Sequence, residues 1–204
     1  MVYEKLRRVS KFIFDQPFFY EKVRAFLVGG HPFPKTLELL EAQKTDVILD
    51  VGCGPGHMAE KIHFKNYIGF DHDERCIKVA LKKKIPNAVF TRQGVADYNF
   101  GEVKPSKAIL SGVLHHLSDS EALYVLKILA RTVTQWIVTD DPIYSRYHVL
   151  SNFLCRLDRG DYIRPESEMM KLFEQAGFVV DKKLLFYSNT GVSKHIDFRL
   201  IPAR

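Results

Sequence analysis

At 204 residues, with 46% hydrophobic and 26% charged side chains, the chain has the size and composition of one ordinary globular domain with a sizeable core. No apolar run reaches the roughly 18–20 residues that cross a bilayer, which predicts no membrane insertion, and the basic start at Met1–Arg8 leads into too short an apolar block for a signal peptide. The net charge of +6 comes in part from Lys5, Arg7, Arg8 and Lys11 and from Lys82-Lys83-Lys84, which read as solvated helix ends; the charge permits an acidic substrate and does not exclude nucleic acid as a partner. Cys53, Cys76 and Cys155 have neither pair spacing nor metal-ligand spacing, so neither a disulfide framework nor a metal site is expected, and the expected compartment is a reducing cytoplasm.

Residues 1–45 read as helical. Val2, Leu6, Val9 and Ile13 recur at helical spacing, and Phe18 to Leu27 form a second apolar face that Gly29-Gly30 stops. Pro32 and Pro34 then break the chain before a third short helix, Lys35 to Ala42. From residue 47 the pattern alternates. Strands are expected at 47–51, 66–70, 88–92, 107–111 and 135–139, with helices at about 57–64, 74–84 and 119–132. A later helix, Glu166 to Gln175, is opened by Pro165 and closed by Gly177, and Phe178–Tyr187 and Val192–Leu200 read as two closing strands. Alternation of this kind predicts a parallel sheet with helices on both faces. The expected organisation is one domain, 1–204, with a helical cap over 1–45 and an α/β core over 46–204.

The chemistry concentrates at the ends of the strands. Val47-Ile-Leu-Asp-Val-Gly-Cys-Gly-Pro-Gly-His57 is an apolar strand that ends in an acid and a glycine turn. Gly52, Gly54 and Gly56 lack a Cβ and tolerate positive φ, so backbone amides can approach a ligand closely. Asn66-Tyr-Ile-Gly-Phe-Asp-His72 puts an acid at the end of the second strand. A carboxylate there, acceptor-only, can take both hydroxyls of a ribose; the alternative, a helix N-cap, can be filled by Asp73. A dinucleotide loop would need a third glycine where the chain has His57, which counts against a nicotinamide-dependent oxidoreductase.

Asp50-x-Gly52-x-Gly54-x-Gly56 resembles the first motif, D/E-x-G-x-G-x-G, of class I S-adenosylmethionine (SAM) dependent methyltransferases at all four positions. Tyr67-Ile-Gly-Phe-Asp71 is similar to that family's Y-x-G-x-D, and Gly112-Val-Leu-His-His-Leu117 to its G/N-V-L-H-H-L. The resemblance implies a Rossmann-like, doubly wound α/β fold: a mostly parallel seven-stranded sheet whose last strand is antiparallel. It implies SAM as cofactor. The glycine turn, with Cys53 chosen for size, would lie along the methionine part, and Asp50 would orient the loop or its waters. Asp71 would bind the ribose, with His72 beside the ribose or adenine, or simply packed at the surface. Ser111 and Gly112 would sit by the cofactor's amino-acid end.

The resemblance weakens at Gly94-Val-Ala-Asp-Tyr-Asn-Phe100, where the family often carries Gly-Asp-Ala. Val95 stands in place of an adenine-binding acid; the Ala96 amide could serve ring nitrogen N1, and Asp97 is displaced by two positions. Lys107 replaces an acid usual before the fourth strand, a departure expected to touch packing. The helical cap implies an acceptor lid, in which Tyr20 is either a packing or an acceptor-facing residue.

The activity implied is in-line methyl transfer to a small-molecule acceptor. A hydroxyl acceptor needs a base, for which His116 is the first candidate, with Asp141 and His148 behind it. Asp140, Asp141, Tyr144, Arg146, Tyr147 and His148, followed by Asp158–Arg164, could wall the acceptor pocket. The alternative reading is a non-catalytic SAM-binding partner subunit. The sequence leaves oligomeric state open.

Overall fold

The computed structural model describes residues 33–100, 104–143, 162–187 and 194–203. The first two expected helices, with Tyr20, lie outside the described residues, as do Tyr144, Arg146, Tyr147, His148 and the 158–161 part of the later segment. In chain order the elements are α1 (Phe33–Leu40), β1 (Val47–Val51), β2 (Asn66–Asp71), α2 (Glu74–Lys82), β3 (Ala88–Arg92), β4 (Lys107–Ser111), a 3-10 turn (Leu114–His116), α3 (Asp119–Thr132), β5 (Trp136–Pro142), α4 (Glu166–Gln175), β6 (Phe178–Tyr187) and β7 (Lys194–Pro202). They form one seven-stranded sheet in the order β3-β2-β1-β4-β5-β7-β6. Strands β1 to β5 pair in parallel, and β7 runs antiparallel between β5 and β6.

The β1 sequence explains its central place. Ile48 and Leu49 are both buried but belong to different apolar clusters, one on each face of the sheet. The Leu49 face carries Val51, Phe70 and Leu110 under α3 and α4; the Ile48 face carries Tyr67, Ile109 and Val138 under α1 and α2. Two covered faces are what a run of consecutive apolar residues demands. Chain direction across the sheet reverses between β1 and β4, which leaves a crevice at the carboxyl ends of those strands.

Local signals set the helix ends. Asp73 caps α2 by accepting from the Arg75 amide (2.8 Å), and Ser118 with Glu121 forms a capping box on α3. Helix α2 stops at Lys82 instead of residue 84, because Lys84 takes a left-handed conformation at φ 51°.

The helix expected at 57–64 is absent: the segment is turns, with the Lys61 amide on the Met58 carbonyl (3.0 Å). An eight-residue helix rises about 12 Å and would leave only Lys65 to bring the chain back to β2. Burial of Met58 and Ala59 instead draws the segment down onto the sheet.

Helix α1 packs on the sheet, with Leu39 and Leu40 buried and Thr36 donating to Asp197 Oδ2 (2.9 Å). Lys107 is buried at the amino end of β4, where its ammonium donates to Asp46 Oδ2 and to the Glu41 carbonyl (both 2.7 Å) and lies 4.2 Å from the Trp136 ring. Among the described residues no helix is long and apolar enough to cross a membrane, and no group of His, Cys, Asp or Glu is arranged to hold a metal ion.

Candidate active site

The glycine turn after β1 is tied to the end of β2. The Gly52 and Cys53 amides both donate to the Phe70 carbonyl (2.9 and 3.0 Å), and the Gly54 amide donates to Asp71 Oδ2 (2.9 Å). The other carboxylate oxygen of Asp71 accepts the Asp73 amide (2.8 Å). Asp71 thus links the turn to the start of α2 while each oxygen keeps further acceptor capacity. Gly52 sits at φ 69°, where a Cβ would come within 2.7 Å of Val113 Cγ2. Gly54, at φ 53°, has no atom of the described residues within 4 Å of its missing Cβ, so among them an open cradle lies above it.

Beneath the turn, Asp50 is 2% exposed and accepts the Tyr67 hydroxyl. Burial pushes the Asp50 carboxyl up to about 7; the Tyr67 bond pulls against that, and the charge of Asp71 adds to it. Asp50 therefore faces β2 inside the sheet, not the open side of the turn. Cys53 is buried against Gly69, whose own Cβ would clash with it at 3.0 Å, and burial pushes its thiol far above the usual range. It fills space and is chemically inert. Gly69 was not singled out beforehand, although the third letter of Y-x-G-x-D signalled it.

His72 is exposed, its ring nitrogen 3.3 Å from Asp71 Oδ1. In the turn after β3, Ala96 and Asp97 are both exposed, with the Asp97 amide on the Gly94 carbonyl (3.1 Å). Val95 packs on the apolar cluster beside Tyr98, which stacks on Phe70 at 4.0 Å.

A second group gathers where β4 and β5 end and β7 begins. The Gly112 amide donates to the Asp140 carbonyl (2.7 Å), and the Ser111 hydroxyl donates to Asp140 Oδ2 (3.1 Å). His115 is 5% exposed; its backbone amide and its Nδ1 both meet Asp141 Oδ1, at 3.1 and 2.7 Å. His116 is exposed, its ring centroid 4.0 Å from that of His115. Arg164 fastens this turn. Its guanidinium donates to the Leu114 and Leu117 carbonyls (both 2.6 Å) and to Asp119 (2.8 Å).

Strand β7 adds two residues that the sequence reading passed over as framework. His195 Nδ1 lies 3.4 Å from Asp140 Oδ1, and Asp197, opposite Asp140 in the sheet, is wholly buried. Burial, with the charge of Asp140, pushes the Asp197 carboxyl up to about 9, and burial raises Asp141 well above the carboxylate range. The available signal was a polar residue at alternate places in a strand that has to be buried. Leu114, His115, Asp141, Pro142, Tyr162, Arg164, Met169, Leu172 and Phe173 line a recess of about 10 Å³ beside this group.

This strand order, with a reversed seventh strand and a glycine turn closing on an acid at the end of β2, defines the class I methyltransferase architecture. Residues 48–135 match the family model described as a methyltransferase domain. Among solved structures, the chain is similar to the Haloferax volcanii complex between the Trm112 methyltransferase activator and a methyltransferase (TM-score 0.74, 13% identity, 91% of this chain and 94% of that one). It is also similar to the N-methyltransferase NodS of Bradyrhizobium japonicum (0.68, 16%, 94% and 99%). A third likeness is to the magnesium protoporphyrin IX methyltransferase of Synechocystis PCC 6803 with bound S-adenosylhomocysteine (0.64, 17%, 95% and 99%). No curated protein matches the sequence. Residues 48–135 thus match a methyltransferase domain, set in the Rossmann-like fold that the chain shares with these methyltransferases.

Proposed function

We propose that the protein moves the methyl group of SAM to a small-molecule acceptor by in-line displacement. The observation that carries this reading is the pairing of the open cradle above Gly54 with the Asp71 carboxylate beside it. Bound SAM supplies a methyl group on a positively charged sulfur. The turn Gly52-Cys53-Gly54-Pro55-Gly56 holds its methionine part; Asp71 takes the ribose hydroxyls, with His72 at the edge. The exposed Ala96 and Asp97 meet the adenine, and Ser111 and Gly112 border the amino-acid end. Asp50, through Tyr67, positions the turn from below. Holding two reactants in line is worth up to about 7–11 kcal/mol of barrier, so positioning is the main task of these residues. For a hydroxyl acceptor a base is also needed, and the His115-His116 turn supplies the imidazoles.

A small acceptor is supported by one of the neighbours, whose name gives it as a magnesium protoporphyrin IX methyltransferase. Among the described residues, Cys53 and Cys76 form no disulfide. Calorimetric titration with SAM, S-adenosylhomocysteine and NADH tests the cofactor. Micromolar binding of the first two and none of the third is expected. Binding of NADH alone refutes the reading. Silence from all three turns attention to a partner-dependent protein, as the activator-bound Haloferax volcanii neighbour would suggest.

A further inference from the structure

We propose that the edge of the sheet opposite the glycine turn is a docking surface for the phosphate backbone of a nucleic-acid strand. The argument begins with where the chain enters each strand. In the order β3-β2-β1-β4-β5 the five strands run parallel, so their entries share one edge. An exposed cation stands shortly before each of them: Lys84 before β3, Lys65 before β2, Lys44 before β1, Lys104 before β4 and Arg131 before β5. Lys82, the last residue of α2, adds a further exposed cation at the β3 end. In sequence these are scattered helix ends and turns; the strand order sets them side by side.

Backbone bonds hold the entries in line. The Tyr67 amide donates to the Asn87 carbonyl (2.9 Å), the Lys65 amide to the Asp46 carbonyl (2.7 Å), the Ser106 amide to the Val47 carbonyl (2.9 Å) and the Thr134 amide to the Pro105 carbonyl (3.0 Å). Neighbouring strands lie about 4.8 Å apart, so five of them carry the row over about 19 Å. The row has no counter-ions. Elsewhere on the surface Lys78 pairs with Glu74, Lys182 with Glu41 and Lys183 with Glu166. Among the described residues, none of Lys44, Lys65, Lys84, Lys104 and Arg131 takes part in an ion pair. The nearby acids are already engaged: Asp46 is buried against Lys107, Glu41 meets Arg199 and Lys182, and Glu60 meets Lys83.

The form of this surface selects the partner. Uncompensated cations in a line match a linear polyanion, whose bound counter-ions they release. The exposed amides of Asn66 and Asn87 stand in the same row and can donate to phosphate or sugar oxygens. Of the large apolar side chains exposed among the described residues, only Leu81 stands beside it. The row therefore offers no aromatic platform for bases and little to bury in a bilayer, so it reads charge and spacing instead of sequence. The five residues of β1 separate this edge from the glycine turn by roughly 16 Å. A strand held here tethers the protein and is not itself the methyl acceptor.

Fluorescence anisotropy with a labelled oligouridylate of about twelve nucleotides tests this. Single strands lose affinity with a slope of about −0.7 per phosphate contact, so four contacts predict a loss of about 50-fold between 50 and 200 mM salt. Lys65→Gln/Lys104→Gln removes two cations of the row and should reduce the slope by about 1.4 and the affinity at 50 mM salt by more than about fivefold. Lys127→Gln/Lys171→Gln makes the same change in net charge on the exposed faces of α3 and α4 and should leave binding within about twofold of wild type. Equal losses in the two double variants, or no binding by wild-type protein at 50 mM salt, overturn the proposal. Binding to phosphatidylserine vesicles with none to the oligouridylate overturns it in favour of a membrane surface. Urea midpoints and S-adenosylhomocysteine affinity should match wild type in both variants, so that lost binding reports on the surface and not on the fold or the cofactor site.

Discussion

Alanine at Gly52 and alanine at Gly54 should separate the two tasks of the glycine turn. Both positions have positive φ, 69° and 53°, so either substitution carries a left-handed backbone penalty of about 1–2 kcal/mol. Only at Gly52 does the new Cβ meet an obstacle, Val113 Cγ2 at 2.7 Å, and Val113 is itself buried. Forcing a methyl group into a packed position costs a further 1–3 kcal/mol or so. Gly52→Ala should therefore be less stable than Gly54→Ala by about 1–3 kcal/mol. With an m-value near 2 kcal/mol/M, that separates their urea midpoints by roughly 0.5–1.5 M. Affinity for S-adenosylhomocysteine should move the other way. The Gly54→Ala methyl projects into the open cradle, so this better-folded variant should lose more than about tenfold in binding. Val113→Ala removes the obstructing methyl, and the Gly52→Ala/Val113→Ala pair should be more stable than the two single effects added together. Equal midpoints for the two glycine variants, or full ligand affinity in Gly54→Ala, would refute this account of the turn.

Three further outcomes are expected. In Asp71→Asn an amide NH₂ must face the backbone N–H of either Gly54 or Asp73, since both wild-type oxygens are acceptors; stability should fall by about 1–3 kcal/mol and S-adenosylhomocysteine affinity by more than about tenfold, and wild-type binding by calorimetry would refute the role. Lys107→Met leaves Asp46 buried without its cation and should cost about 3–5 kcal/mol in urea unfolding, most of it recovered in Lys107→Met/Asp46→Asn. Burial alone would raise Asp46, but Lys107, the Gln43 amide and Ser106 outweigh it and hold the carboxyl below its ordinary value, so its contribution to stability is lost as pH falls through that lowered value and should be largely absent in Lys107→Met. Asp197 behaves oppositely: with its carboxyl raised from 3.8 to about 9, the folded state keeps a proton that the unfolded chain releases, so its contribution is full below about pH 4 and fades toward pH 9. Asp197→Asn should flatten that decline, and urea midpoints at pH 5 and pH 8 that drop as steeply as in wild type would refute it.

The strands were legible because their burial is simple. Residues 47–51, 88–92 and 107–111 begin and end where the apolar pattern puts them, and the helices 119–132 and 166–175 carry their caps in sequence. The 57–64 segment misled because Met58, Ala59 and Ile62 have helical spacing, whereas the distance back to β2 decides the conformation. At the site, the glycine turn and Asp71 could be read from local spacing alone. The Asp140–Asp197–His195 group could not, since residues far apart in sequence meet there only because β7 inserts beside β5. Asp141 was visible as a candidate base. Its bond to His115 depends on the 3-10 turn folding back over β5, which no spacing announces.

The two edges of the sheet treat buried charge in opposite ways. At the amino ends, each charge meets its opposite: Lys107 with Asp46, and Arg199 with Asp181 and Glu41, and both cations lie over the Trp136 ring, at 4.2 and 5.0 Å from its centroid. Such pairing fixes a scaffold and leaves no group ready to change its proton. At the carboxyl ends, Asp140, Asp141 and Asp197 are buried close to one another with histidines as neighbours, and burial raises both Asp141 and Asp197. Acids in that state cost stability at neutral pH, and they persist at the edge where a doubly wound sheet places its ligands. The expense is intelligible if those groups hold and move protons, which is why the methyl acceptor is best sought where β4 and β5 end and β7 begins.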